Sequence, residues 1–399
     1  MKVAYVSFDN LQFAKGSTTH IKNFATALCN RHSLTLISLA GKRSSFSDNG
    51  ELLPAYEEIK ILCPSDNFLQ RTETFAREVY GILETRNFEL VHYRNIWEGM
   101  AIEEFKLKKP GVLTVFECNG LPSLEVVYHY PGITQSLIWK LQAMEKKLFN
   151  LADLIITPAK TLFNYIFDSL VYPRPVALLP NGADENLFYP GNNGELKEPF
   201  KLIYVGSLTP WQGIPLAMNA LSPLRNKFDF QLLCLSSPKK VWQKKLQSMA
   251  KKLKLRNRFT IKYIQHEKIP GQIRAADICI APLMPCPRNL KQGCSPLKIF
   301  EYMACRKPIV ASAIPPITDI LKNRTEALLF RPGSTRAFKN SMEELFSDRQ
   351  LRQNLAHNAY QRYLKNFKWQ PTLEKLFFLY EGLKNRNLDL LEPENNYLP

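Results

Sequence analysis

The sequence is short of acid. Only 36 Asp and Glu stand against 53 Lys and Arg, which leaves a formal charge of +17 over 399 residues. Such an excess implies an anionic partner: nucleotide phosphates, a nucleic acid or an anionic membrane surface. A nucleic acid is not favoured, because no zinc-finger, RNP or helix-turn-helix pattern occurs. No unbroken apolar run of about 18 residues exists, so no membrane-spanning helix is expected. The eight cysteines are widely spaced and never form a Cys-x-x-Cys pair, which argues against structural zinc and against a disulfide scaffold. A cytoplasmic, reducing location is the expectation. The start, Met1 to Phe8, has one basic residue and a short apolar run before Asp9. It reads as a buried strand rather than a leader. Low-complexity tracts are absent too, and 45% hydrophobic residues are enough to fill two cores.

What is present is alternation. Val3–Phe8, Leu34–Leu39, Leu90–Tyr93, Val112–Phe116, Leu154–Thr157 and Val176–Leu179 read as strands. Segments of helical period fall between them, Thr19–Cys29 and Ala159–Leu170 among them, the latter with Thr157 as its cap and Pro158 at its first position. Gly191 to Pro199 is polar and turn-rich, as a linker is. The alternation then restarts at Lys201–Gly206 and continues through Phe230–Leu235, Phe259–Tyr263, Ile278–Ala281, Pro308–Ala311 and Ala327–Phe330. A helical tail follows, including Leu373–Leu383. The rhythm predicts an α/β protein with two doubly wound, Rossmann-like parallel sheets. The first domain is expected over residues 1–190 and the second over 200–366, with a helix in 367–399 returning to the first. Two such domains facing a cleft suggest an enzyme.

The most informative stretch runs from Gly293 through Ser295-Pro296-Leu297-Lys298-Ile299-Phe300-Glu301-Tyr302-Met303-Ala304 to Pro308-Ile309-Val310-Ala311-Ser312. It reads as a loop, a helix opened by Ser295 and Pro296, and a buried strand. A helix start offers unpaired N–H groups and a positive dipole end, which suit a phosphate. Lys298 adds a point charge one turn in. Glu301, a turn further, can accept hydrogen bonds from two ribose hydroxyls.

This stretch resembles the nucleotide-sugar site of glycosyltransferase family 4, and in particular a subgroup reading Ser-Pro-x-Lys-x-x-Glu-Tyr-Met-Ala. Pro315, Pro316, Ile320 and Ala327 to Gly333 continue the likeness. So do Pro180-Asn181-Gly182-Ala183-Asp184 with Phe188 and Pro190, and Leu202 to Leu208 with Trp211-Gln212-Gly213. Near the start, Lys15-Gly16-Ser17-Thr18-Thr19-His20 resembles the glycine loop whose amides approach the sugar diphosphate. The resemblance implies a GT-B fold, a nucleotide-diphosphate sugar as donor and retention of anomeric configuration. It implies no metal and no further cofactor, and no Asp-x-Asp motif stands where a GT-A enzyme needs one. Donor contacts then fall to Gly16, Ser17, Gly206, Ser207, Ser295, Pro296, Leu297, Lys298 and Glu301. The acceptor would be a glycan, a lipid-linked sugar or a small molecule, and a peripheral place on the inner membrane face stays open.

The sequence departs from the family in three places. Gly293 stands where many members carry the first glutamate of Glu-x7-Glu. Ser207 and Gln212 stand where Arg and Lys often neutralise the diphosphate, a task then left to Lys298 and the helix start. Glu117 stands where many members place a histidine beside the transferred sugar. Glu117 either holds an acceptor hydroxyl or supports charge at the anomeric carbon, or it is a loop acid facing water. With Lys298 it is the candidate for the chemistry. Arg94 and Asn119 are candidates for acceptor or phosphate contact, although Arg94 at a strand end can equally pair with an acid. His20, His92 and His129 do not have metal-ligand spacing and read as packed or surface residues. The basic run from Lys239 to Arg258, with Trp242, Leu246, Met249 and Leu253 near helical spacing, reads as an amphipathic helix. It is either solvated or in contact with an anionic leaflet. Alternatives to a transferase are a GT-B-fold nucleotide-sugar epimerase and a basic, non-catalytic binder of nucleic acid or anionic surfaces.

Overall fold

The computed structural model describes residues 1–12, 16–41, 56–191, 199–236 and 240–387. Lys15, Lys239 and most of the linker expected at 191–199 lie outside these, as do residues 388–399. The chain divides into two compact units. Met1–Pro180 and Leu373–Pro399 form the first, and Asn181–Thr372 the second.

The first unit holds β1 (Lys2–Ser7), β2 (Ser33–Leu39), β3 (Glu57–Ile61), β4 (Leu90–Tyr93), β5 (Leu113–Glu117), β6 (Leu154–Thr157) and β7 (Val176–Leu178). They form one sheet in the order β3-β2-β1-β4-β5-β6-β7. Every pair is parallel, with Val3 opposite both Leu34 and Leu90. β4 and β6 are buried along their whole length and β1 beyond its first residue. Helices covering both faces of a parallel sheet require that. Strand β3 escapes the sequence pattern because it is an edge strand, Glu-Glu-Ile-Lys-Ile, with charge where an unpaired edge benefits from it.

The second unit repeats the plan with β8 (Phe200–Val205), β9 (Phe230–Leu235), β10 (Phe259–Lys262), β11 (Ile278–Ala281), β12 (Ile309–Ser312) and β13 (Leu328–Phe330). Its order is β10-β9-β8-β11-β12-β13, again all parallel. The doubly wound parallel sheet expected from the sequence is present in both units. The helix Trp369–Lys384 carries the chain end, and its residues from Leu373 onward group with the first unit.

Two local expectations need correction. Thr157 does not cap a helix. It is the last residue of β6, pairs with Leu178, and its carbonyl accepts from the Leu179 N–H. The helix therefore starts at Lys160, with Ala159 in the cap position. Nor does Ser295 cap the helix Leu297–Ala304; Pro296 occupies that position without a side-chain cap.

In open sheets of this kind, ligands bind outside the carboxyl ends of the strands where the order reverses. Each unit has one such point, between β1 and β4 in the first and between β8 and β11 in the second. The residues singled out by sequence cluster there.

Candidate functional site

At the second unit's switch point, β8 ends in Gly206 at φ +140°. A Cβ there would meet the Lys298 Nζ and the Tyr204 hydroxyl, each at 2.9 Å. The position needs glycine for its backbone and for the space that it leaves to the amine. Lys298 lies on the helix Leu297–Ala304, which is fastened to β8 by the Val205 N–H donating to the Tyr302 hydroxyl at 2.9 Å. Its ammonium donates to the Gln212 Oε1 at 2.8 Å and to the Tyr204 hydroxyl at 3.1 Å. It also lies 4.2 Å from the Tyr204 ring centre. Tyr204 in turn donates to the Ser207 carbonyl at 2.6 Å. Gln212, which replaces the family's cation, thus serves as the seat of Lys298.

Lys298 is 8% exposed, and burial pushes its ammonium down to about 7, with the Arg288 charge acting in the same direction and Glu301 opposing. Glu301, one turn on, is buried as well. Desolvation pushes its carboxyl up to about 7, against the pull of Lys298. Among the described residues no side chain hydrogen-bonds the Glu301 carboxylate. Ser295 is engaged instead by Asn181, whose N–H donates to the Ser295 Oγ at 3.2 Å and whose amide donates to the Ser295 carbonyl at 2.9 Å. Two motif segments that the sequence separates by over a hundred residues therefore meet, and Ser295 is turned away from the cap role. The missing glutamate also has a local cause. Gly293 sits at φ 71° and ψ −171°, a region reserved for glycine.

At the first unit's switch point the expected glycine loop is helical. Gly16 and Ser17 open the helix Gly16–Cys29, which leaves their N–H groups without intrahelical partners. The Ser17 Oγ donates to Asp9 at 3.1 Å. The centre of this region is Glu117, at the end of β5 and 2% exposed. Its Oε1 accepts from the Arg94 Nε at 3.0 Å and from the Asn119 amide at 2.5 Å, and lies 2.8 Å from the His20 Nε2. Its Oε2 accepts from the Tyr5 hydroxyl at 2.8 Å and lies 3.1 Å from the His92 Nε2. A carboxylate has about four acceptor sites, and at least three donors already point at this one.

Burial alone would raise the Glu117 pKa, but the Arg94 and His20 charges and the histidine hydrogen bonds hold it well below the usual range. The His92 Nδ1 shares a hydrogen bond of 2.6 Å with the Tyr380 hydroxyl, its direction set by the tautomer of the ring. Arg94 also gives its Nη1 to Asp9 at 3.2 Å, so two carboxylates share its charge. The reading of Glu117 as a solvent-facing loop acid is wrong, because the side chain is buried among these five residues. Of the two readings of Arg94, pairing with acid is the one observed. The sequence missed Tyr5 and Tyr380, and read His20 and His92 as packed or surface residues; both are packed. In the second unit it missed Tyr204 and Arg288.

Among the described residues no group of His, Cys, Asp and Glu is arranged to hold a metal ion, and no helix is long and apolar enough to cross a membrane. The basic helix is present as Lys240–Lys252, with Leu246 and Ala250 buried against the second sheet.

Two family descriptions match adjoining parts of the chain. Residues 14–187 match Glycosyltransferase Family 4, and residues 188–362 match Glycosyl transferases group 1. An uncharacterized glycosyltransferase of Methanocaldococcus jannaschii is 22% identical over 245 residues, which is 60% of this chain and 61% of that protein. The alpha-D-kanosaminyltransferase of Streptomyces kanamyceticus is 26% identical over 173 residues, 41% of this chain and 42% of that protein. The matched stretch is thus under two thirds of the length of either relative. Sucrose-phosphate synthase from Thermosynechococcus elongatus superposes with a TM-score of 0.80 at 18% identity, covering 97% of this chain and 100% of that one. Anabaena HepE in complex with UDP and glucose gives a TM-score of 0.76 at 15% identity, covering 96% and 99%.

Proposed function

This chain belongs to the GT-B-fold glycosyltransferases, and from that premise we propose that it moves a sugar from a nucleotide-diphosphate sugar to an acceptor hydroxyl with retention of configuration. The observation that carries the donor assignment is the buried pair Lys298 and Glu301 at the second unit's switch point. A buried amine whose charge is suppressed in the free protein gains strongly from an arriving phosphate. A buried carboxylate that, among the described residues, accepts no side-chain hydrogen bond suits a pair of ribose hydroxyls. In this reading Gly206 and Ser207 line the path of the diphosphate, with Pro296 and Leu297 at the helix start. Arg288, whose charge already bears on Lys298, supplies the second cation that the sequence appeared to lack.

The task of the protein is then to orient two substrates and to stabilise the departing diphosphate. Lys298 meets the developing charge. Glu117 acts as a positioning residue, fixing His20, Arg94 and Asn119 rather than touching the sugar. The first unit takes the acceptor in this scheme. Retention is inferred from the family resemblance. The departing phosphate accepts the acceptor proton, which accounts for the lack of a dedicated nucleophile in the assignment.

A thermal-shift screen against UDP, GDP, ADP and TDP and their sugars tests the reading. HepE was solved with UDP and glucose, so uridine nucleotides come first. A ligand at about 100 times its dissociation constant stabilises by about 2.7 kcal/mol. One base should stand out; no stabilisation by any nucleotide would remove the donor assignment.

A further inference from the structure

The helices Lys240–Lys252 and Gln135–Leu151 each combine tryptophan with lysines, and the structure treats them oppositely. In Lys240–Lys252 the Trp242 ring is half-buried under the Lys245 ammonium, 4.8 Å from its centre, and the apolar side packs on the second sheet. Only Val241 is left as a large exposed apolar side chain there, among the described residues. In Gln135–Leu151 the apolar residues at the start are only partly covered. Tyr130, in the preceding loop, is 53% exposed, and Trp139 is 62% exposed, with Leu137 exposed between them. Ile133 and Ile138 are half-buried in the same segment.

Leu137 and Trp139, two residues apart, project from opposite sides of the helix start, so an interface reaches both only at that end of the helix, and the fold of the chain itself leaves both partly in water. Farther along, the exposed stripe continues as Lys140, Ala143, Lys146 and Lys147. Its one acid, Glu145, is turned inward onto the Ser123 N–H and hydroxyl at 2.8 Å. Lys147 pairs with Glu103. Lys140 and Lys146 have no acidic partner among the described residues. Exposed Trp and Tyr beside uncompensated lysines match the chemistry of a bilayer interface, apolar below and anionic above.

We propose that Tyr130–Lys147 is the surface by which this protein docks on an anionic membrane leaflet, with Leu137 and Trp139 entering the interface and Lys140 and Lys146 meeting lipid phosphates. The inference favours a membrane-bound acceptor among those left open above. It does not depend on the donor assignment.

The test is flotation of the full chain with phosphatidylcholine vesicles, with and without phosphatidylglycerol. The protein should float with the anionic vesicles alone, and less so as salt rises. The double variant Leu137→Ser, Trp139→Ser should lose on the order of tenfold in partition. Each of Lys140→Ser and Lys146→Ser should lose about fivefold. The control Lys244→Ser, Lys245→Ser should float as the parent does. Unchanged melting and circular dichroism identify variants that remain folded. The proposal is overturned if the parent ignores anionic vesicles, if the Leu137 and Trp139 variant floats equally well, or if only the control loses binding. A lipid-free dimer that the Leu137 and Trp139 variant dissolves would give the surface to a second copy of this chain instead.

Discussion

At one switch point a buried carboxylate accepts at least three hydrogen bonds from protein side chains; at the other, among the described residues, it accepts none. Glu117 gathers Tyr5, His20, His92, Arg94 and Asn119 and stays ionised. Glu301 has only Lys298 nearby, and both groups are pushed toward neutrality. Burial is the same; satisfaction differs. A satisfied buried charge holds a fold together, whereas unsatisfied buried groups are tolerated where a ligand completes them.

The largest effect that sharpens this contrast is on stability. Glu117→Ala should cost about 3–5 kcal/mol, because it strands Arg94 without its buried partner. Urea denaturation measures it, and Glu117→Gln should lose less. Glu301→Ala should do the reverse, leaving stability near the parent value and lowering donor kcat/KM by more than tenfold; a loss of stability with normal kinetics would break the distinction. Lys298→Ala should weaken a nucleoside diphosphate by about tenfold, as loss of a charge-assisted contact does, and the plain nucleoside hardly at all. Equal losses in a calorimetric titration would mean that the amine does not touch phosphate.

The smallest effect is on pH dependence. The Lys298 ammonium titrates near 7 in the free protein, and a bound anion raises that value, so binding takes up a proton. Affinity for the diphosphate should therefore be greatest at and below pH 7. Above it, affinity should fall by at most about tenfold per pH unit until the pKa of the complex is passed. Lys298→Ala should flatten the profile over that window.

Much of the scaffold could be read without coordinates. Strands such as Leu90–Tyr93 and Ile278–Ala281 are buried throughout, and so appear as continuous apolar runs. Strand Glu57–Ile61 did not, because its edge place puts charge into it. In the second unit, Lys298 and Glu301 share one helix, so their spacing alone suggested a shared task. Their seat, formed by Tyr204 and Gln212, was hidden because nothing local marks Gln212 as the acceptor for Lys298. The Glu117 centre was harder still. Its members come from five separate strands and helices, and Tyr380 reaches His92 across 288 residues. No periodicity encodes such a meeting, only the strand order.

The most direct test of the central claim is a calorimetric titration of the nucleotide that the screen selects into the parent, Glu301→Ala and Glu117→Gln. The account predicts tight binding by the parent, a loss of more than tenfold in Glu301→Ala, and affinity close to that of the parent in Glu117→Gln as long as it is folded. Undiminished binding by Glu301→Ala, or a loss confined to Glu117→Gln, would contradict the assignment of the donor to the second unit.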